Sequence, residues 1–293
     1  MSASAAVTLL IIPAFIVTAV ALSLVRARLR TLEAASSGIR VDLARRDEAS
    51  DASDRSRRQL LVDVSHELRT PLTAMRGYLE TLRMTGPHLD EITRTRYFQT
   101  LERETVRLDR LVEDLLDLAR LESGVGTLDT RLFAVERVFQ HVMLRHERET
   151  RVRQIEVDVW VDAEADQVVA DPDRIEQVVE NLFANALIYT PFGGRVELRA
   201  ECDGDAIVLS VIDSGPGIDG GALPFVFERF RKPDGLRGRQ STGSGLGLPI
   251  SRAIVERHHG SIRATSEPGR TAFTIVLPHQ SAEPRHHSTS TNL

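Results

Sequence analysis

The sequence predicts an α+β protein in three parts: an N-terminal membrane helix, an antiparallel helical hairpin, and a layered α/β sandwich. Three observations carry this prediction. Residues Ala5 to Val25 hold no charged side chain. Two long stretches between Asp54 and Leu121 repeat apolar residues at spacings of three and four. After residue 128 the pattern changes to helices mixed with alternating, hairpin-linked strands, which implies α+β layers and not a doubly wound parallel sheet.

The apolar run, Val7 to Ile12 and on past Pro13 to Val25, is long enough to cross a bilayer core. Arg26, Arg28 and Arg30 follow at once and place the carboxyl side in the cytoplasm. Pro13 kinks such a span without forbidding it. A cleaved signal peptide is the competing reading, but no basic segment precedes the run. The expectation is a single-pass anchor in the cell membrane (1–25) followed by a charged cytoplasmic linker (26–53). So few residues precede the span that direct sensing of a large extracellular ligand is not expected.

Residues 54–123 form the hairpin. Leu60, Leu61, Val64, Leu68, Leu72, Met75, Leu79 and Leu82 mark the first helix. Tyr97, Leu101, Leu108, Leu111, Leu115 and Leu118 mark the second. The turn signal Thr85-Gly86-Pro87 separates them. Each stripe is too wide for one partner helix, so two hairpins are expected to pair as a homodimeric four-helix bundle.

The sandwich spans 128–280. Helices are expected at Val135–Glu149, from Pro172 to Ile188 with Asp171 as cap and Pro172 at the first position, and at Leu246–His259. Strands are expected at Ile155–Val161, Arg195–Glu201, Ala206–Asp213, Ser261–Ser266 and Thr271–Leu277. Residues 281–293 are polar and read as a disordered tail.

Composition excludes several classes. The chain has 293 residues, 42% hydrophobic and 27% charged, so most of it should fold, as roughly two domains. A net charge of -5 argues against nucleic-acid binding, which favours a basic face. The single cysteine, Cys202, rules out an internal disulfide and a Cys-rich zinc site.

The chemistry begins at Ser65-His66-Glu67-Leu68-Arg69-Thr70-Pro71. A neutral imidazole is nucleophilic near pH 7. If Glu67 accepts from Nδ1–H, Nε2 of His66 is free to attack a phosphoryl group, and the carboxylate supports the charge that develops on the ring. Thr70 lies one turn away on the same face. Pro71 cannot donate to the carbonyl of Glu67 and loosens the helix there. The other eight histidines carry no such set of neighbours.

Downstream lies a candidate nucleotide pocket. Asn181 and Asn185 share one helical face, and their amide oxygens can meet Mg2+ or phosphates without adding negative charge. Asp213 ends a strand and precedes Gly215 and Gly217, so a buried carboxylate can accept from an adenine amino group while glycine lets the base approach. Gly243, Gly245, Leu246 and Gly247 open a helix whose amino end can face phosphates. Tyr189 is added to this cofactor-binding set. Arg229, Arg231, Lys232, Arg237 and Arg239 put positive charge on a mobile lid. The spacing matches neither a dinucleotide fingerprint nor a P-loop.

With these residues in view, residues 54–280 resemble a sensor histidine kinase of bacterial two-component systems. Val64 to Leu72 resembles the family's H box, which implies His66 as phosphoacceptor and Glu67 as acid/base residue. The Glu67…Thr70 pair is similar to the motif with which such kinases dephosphorylate their partner, Thr70 orienting a water. Asn181…Asn185-Ala186 resembles the N box and implies Asn185 as Mg2+ ligand. Asp213 to Ile218 resembles the G1 box, Phe227-Glu228-Arg229-Phe230 the F box and Gly243 to Leu248 the G2 box. The resemblance implies a Bergerat-type fold, ATP and Mg2+ as cofactors, and a response-regulator aspartate as final acceptor. Three departures stand out: Ile188 where a basic residue is usual, a terminal glycine motif, Gly269 to Phe273, one residue short, and an Arg26–Asp54 segment too short for the usual relay.

Overall fold

The computed structural model describes residues 59, 62–85, 88–124, 126–231 and 244–279. The chain divides at Val64 into two compact units, and everything from Ser65 onward belongs to the second. Among the described residues no helix is long and apolar enough to cross a membrane. The span expected at Ala5 to Val25, the linker, the start of the hairpin and the tail lie outside the described residues.

Helix α1 (62–85) runs through Pro71, which is buried. Helix α2 (Glu91–Glu122) is 32 residues long, about 48 Å at the rise of an α-helix. Asp90 caps it, its carboxylate accepting from Thr93 N at 2.8 Å and Thr93 Oγ1 at 2.9 Å. These bonds hold the Asp90 carboxyl below its ordinary range. Tyr78 and Tyr97 meet across the hairpin with ring centroids 5.1 Å apart.

The sandwich follows as β1 (Arg131–Ala134), α3 (Val135–Arg153), β2 (Glu156–Val161), β3 (Gln167–Ala170), α4 (Pro172–Tyr189), β4 (Arg195–Asp203), β5 (Ala206–Asp213), α5 (Gly247–Arg257), β6 (Ser261–Glu267) and β7 (Arg270–Pro278). Five strands form a mixed sheet in the order β2-β4-β5-β7-β6, with β2 parallel to β4 and the other pairs antiparallel. One sheet face is apolar: Val196, Leu198, Ala200, Leu209, Val211 and Ile275 are buried against the helices. The other presents Arg199, Ser210, Thr274 and Arg263 in one lateral row.

The α4 N-terminus is built as its sequence dictates. Asp171 accepts from Arg174 N, and Pro172 fills a first-turn position that needs no N–H. The backbone N–H of Asp171 donates to His258 Nε2 at 3.0 Å, while His258 Nδ1 lies 2.8 Å from the carbonyl of Ile254. This fixes the tautomer of the buried ring, with the proton on Nδ1, and joins the start of α4 to the end of α5. Leu111, Leu118 and Leu121 of α2 belong to the same apolar core as Phe139, Phe183 and Ile254.

The antiparallel pair β1–β3 was not expected from the sequence. Its strands are only four residues long, and Leu132 is exposed while Val168 and Ala170 are buried. Four residues cannot establish a period of two against the background.

Candidate nucleotide and phosphoacceptor site

His66 and Thr70 are exposed on α1. Thr70 Oγ1 donates to the carbonyl of His66 at 3.2 Å. Glu67 is half-buried and faces the hairpin partner: Arg107 of α2 lies 3.7 Å from its carboxylate, and an equal distance from Glu104. No hydrogen bond or ion pair joins the His66 ring to the residues of the downstream pocket among the described residues.

The residues expected to hold a nucleotide come from α4, the ends of β5 and β7, and the start of α5. Helix α4 is fixed from behind by α3. His146 Nε2 lies 2.6 Å from Glu180 Oε1 and its ring packs on Phe183 at 5.5 Å. The Glu180 hydrogen bond raises the His146 pKa against an opposing cost of burial. One residue on, Asn181 Nδ2 donates to the carbonyl of Gly247 at 3.2 Å and to Ser251 Oγ at 3.4 Å. Asn181 therefore ties α4 to the first turn of α5. Asn185, one turn later, is half-buried, and its side chain has no hydrogen-bond partner among the described residues.

Asp213 is 5% exposed. Its Oδ1 accepts from Gly215 N at 2.8 Å, and Oδ2 has no partner among the described residues. Burial raises its pKa, with the Gly215 bond pulling the other way. A Cβ at Gly215 would stand 2.6 Å from Asp213 Oδ1 and 3.1 Å from the carbonyl of Tyr189, so no side chain fits. Tyr189 is half-buried, and that burial raises its hydroxyl pKa. Gly217 has φ +88, and a Cβ there would come within 2.9 Å of the Glu267 carbonyl.

The second glycine segment is pinned by backbone. Phe230 has a positive φ of 59, and its N–H donates to the carbonyl of Gly245 at 2.9 Å. Gly245 has φ +77, and a Cβ would meet Phe230 Cα at 2.9 Å. Leu246 is fully buried, and no side chain caps α5, which leaves first-turn N–H groups free to face an anion. A Cβ at Gly247 would stand 3.4 Å from Asn181 Cγ, an ordinary contact. Arg229 donates to Glu122 of α2. Gly243, Lys232, Arg237 and Arg239 lie outside the described residues.

These residues fit a nucleotide. The cleft offers an uncommitted oxygen on a buried carboxylate, glycines where a Cβ would clash, a free half-buried amide and an uncapped helix amino end. No group of His, Cys, Asp or Glu suited to a metal ion occurs among the described residues. Sequence reasoning missed Thr271, which is buried and in register opposite Asp213. Its Oγ1 lies 2.9 Å from Ser266 Oγ, which accepts from Ile218 N at 2.8 Å. The hairpin-linked pattern of the last two strands held the signal, because it sets which residues of β7 oppose the end of β5.

Two family models match in order along the chain. The His Kinase A (phospho-acceptor) domain covers residues 56–124. The Histidine kinase-, DNA gyrase B-, and HSP90-like ATPase family covers residues 170–281. The probable sensor histidine kinase TcrY of Mycobacterium tuberculosis is 40% identical over 237 residues, 78% of this chain and 47% of its own length. The chain thus spans about half of that relative. The histidine kinase ThkA, solved in complex with the response regulator protein TrrA, superposes with a TM-score of 0.62 at 27% identity, over 76% of this chain and 61% of that one. Full-length ShkA in complex with AMPPNP superposes with a TM-score of 0.55 at 28% identity, over 75% of this chain and 45% of that one. With both models matched and a relative of this identity spanning both, the chain belongs to the sensor histidine kinases of bacterial two-component systems.

Proposed function

We propose that the protein is an ATP-dependent histidine kinase that phosphorylates itself on His66 and passes the phosphoryl group to an aspartate of a response regulator. The observation that carries this reading is the pairing of an exposed histidine on a hairpin with a cleft whose buried Asp213 keeps one oxygen uncommitted. ATP supplies the γ-phosphoryl group, with Mg2+ offsetting its charge.

The chain's own residues divide the work. Asp213 accepts from the adenine amino group, with Thr271 beside it and Gly215 and Gly217 leaving room for the base. Tyr189 lines the same part of the cleft through its backbone beside Gly215. Asn185 offers its amide oxygen to Mg2+, and Asn181 holds the start of α5 in place. The N–H groups at Gly245 and Gly247 face phosphates, Leu246 holds the segment through its N–H to Ser244 Oγ and its buried side chain, Gly243 belongs to the same glycine-rich sequence, and Arg229 is a nearby cation. His66 Nε2 forms the new bond to phosphorus as the bond to the bridging oxygen breaks and ADP leaves. Glu67 accepts from Nδ1–H and supports the charge on the ring. Thr70 orients a water for the reverse task, dephosphorylation of the regulator.

The domain limits proposed are 1–25 for a membrane anchor, 26–53 for a cytoplasmic linker, 54–123 for the phosphotransfer hairpin, 128–280 for the ATP-binding sandwich and 281–293 for a tail. A homodimer is supported by Leu72, Leu79, Phe98 and Leu116, apolar side chains left exposed along the hairpin of a single copy. The response regulator as partner is supported by the ThkA–TrrA complex, and an adenine nucleotide by the AMPPNP complex of ShkA.

The test is incubation of the purified chain with γ-labelled ATP and Mg2+. Acid-labile label on the wild type, lost in His66→Gln, is the expected result. Bound nucleotide with no label on protein would mark an ATP-binding scaffold. Replacing Thr70 should spare labelling and slow loss of phosphate from the regulator.

A further inference from the structure

Helix α2 does more than complete a hairpin. Its last three turns carry apolar Leu111, Leu118 and Leu121 into the sandwich core, and beside them three carboxylates. Asp117 accepts from Arg174 Nη1 through both oxygens at 2.8 Å and from Gln177 Nε2 at 2.7 Å, which fixes α4 against α2. Asp114 Oδ2 accepts from Ser244 Oγ at 2.6 Å. Glu122 accepts from Arg229. Positions 114, 117, 118, 121 and 122 recur at three- and four-residue steps and so share one helical face.

The groups held by Asp114 and Glu122 are not arbitrary. Ser244 Oγ accepts from Leu246 N at 3.1 Å, so it is part of the glycine segment at the α5 amino end. Arg229 immediately precedes Phe230, whose N–H is bonded to Gly245. We propose that α2 is a nucleotide-competed latch: Asp114 and Glu122 hold Ser244 and Arg229, so docking of the sandwich on α2 and binding of a nucleoside triphosphate oppose each other. Pairing with Glu122 takes up part of the charge and donors that Arg229 would offer a phosphate, and a carboxylate beside the α5 amino end repels an incoming anion. Position along α2 agrees. Arg107 faces Glu67, and the latch residues begin seven positions and end fifteen positions further on, about 10 to 22 Å along the axis at the helical rise. In the latched state Ser244 and Arg229 therefore sit beside a stretch of α2 well past the level of His66.

The inference rests on the cleft being a nucleotide pocket. By reciprocity, nucleotide must loosen the latch by the factor by which the latch weakens nucleotide. The experiment is titration of the full chain with AMPPNP and Mg2+. Glu122→Gln should bind about 2- to 5-fold tighter than wild type, the scale of a partly exposed ion pair, and Asp114→Asn should also tighten binding. In an Arg229→Gln background, Glu122→Gln should give no gain. Amide hydrogen exchange over 111–122 should speed up when nucleotide is added. Wild-type binding with unchanged or weaker affinity in Glu122→Gln overturns the latch alone, as does a gain that survives Arg229→Gln. A wild-type chain that binds no AMPPNP overturns both the latch and the nucleotide pocket.

Discussion

The hairpin and the sandwich bury their apolar residues in opposite ways. In the sandwich Phe139, Phe183, Leu182 and Ile254 are wholly covered by their own chain. On the hairpin Leu72 and Leu79 are each 54% exposed and Phe98 is 56% exposed. Among the described hairpin residues, Leu111, Leu118 and Leu121 of α2 join the buried core, with Leu68 of α1 and Leu115 packed against it. A single copy thus has one self-sufficient region and one whose apolar stripe awaits cover from outside. The proposed nucleophile, His66, sits on the second kind of surface and the candidate nucleotide site in the first. This division suits a protein whose chemistry needs the two regions to meet and part.

The comparison can be tested, beginning with the largest effect. His66→Gln should reduce phosphoryl incorporation to background while leaving AMPPNP affinity unchanged, since the residue lies outside the sandwich. Persistent acid-labile label would name a different acceptor. Phe183→Ala should lower the unfolding free energy by about 3–5 kcal/mol, the cost of emptying a large core site, at any protein concentration. Leu79→Glu should instead act on assembly: sedimentation should show monomers, and the sandwich should melt where it did before. A large drop in melting temperature for Leu79→Glu in the monomer would erase the contrast between the regions. Asp213→Asn should weaken nucleotide binding about 10- to 100-fold, the range for a hydrogen bond to a charged group, without unfolding the chain. Circular dichroism beside calorimetry separates the two.

The smallest expected effect is pH-dependent. The His146 pKa is raised above the ordinary 6.5, first by its bond to Glu180 and further by Glu149. Its folded value therefore exceeds its unfolded one. The stability it contributes is complete below 6.5 and is lost as pH rises through the folded value. His146→Gln should remove a fall of about 1–3 °C in melting temperature on the alkaline side. An unaltered pH profile would show that Glu180 does not depend on this ring.

Much of this was legible in the sequence where a single element decides the outcome. Asp171 and Pro172 mark the start of α4 because capping is local chemistry. Ala206–Asp213 reads as a strand over its observed length because a nearly continuous run of apolar, largely β-branched residues follows the turn signal Asp203-Gly204-Asp205. What stayed hidden depends on two elements meeting. Thr271 gains its place beside Asp213 only from the β5–β7 register. The bonds from Asn181 Nδ2 to Gly247 and Ser251, which leave its amide oxygen for the nucleotide site, arise only when α5 packs on α4. Asp114 and Glu122 look like ordinary solvated charges on a helix, and only docking gives them Ser244 and Arg229.

The Phe230–Gly245 hydrogen bond has a consequence for how the chain tolerates change. It staples together the two points between which residues 231–244 run. The staple sets the separation of those two points whatever the number of residues that join them. Foreign sequence, such as an epitope or a fluorophore-bearing insert, can therefore be grafted there while the staple keeps the cleft in shape. Relatives should differ in length at this point more freely than anywhere else in the sandwich.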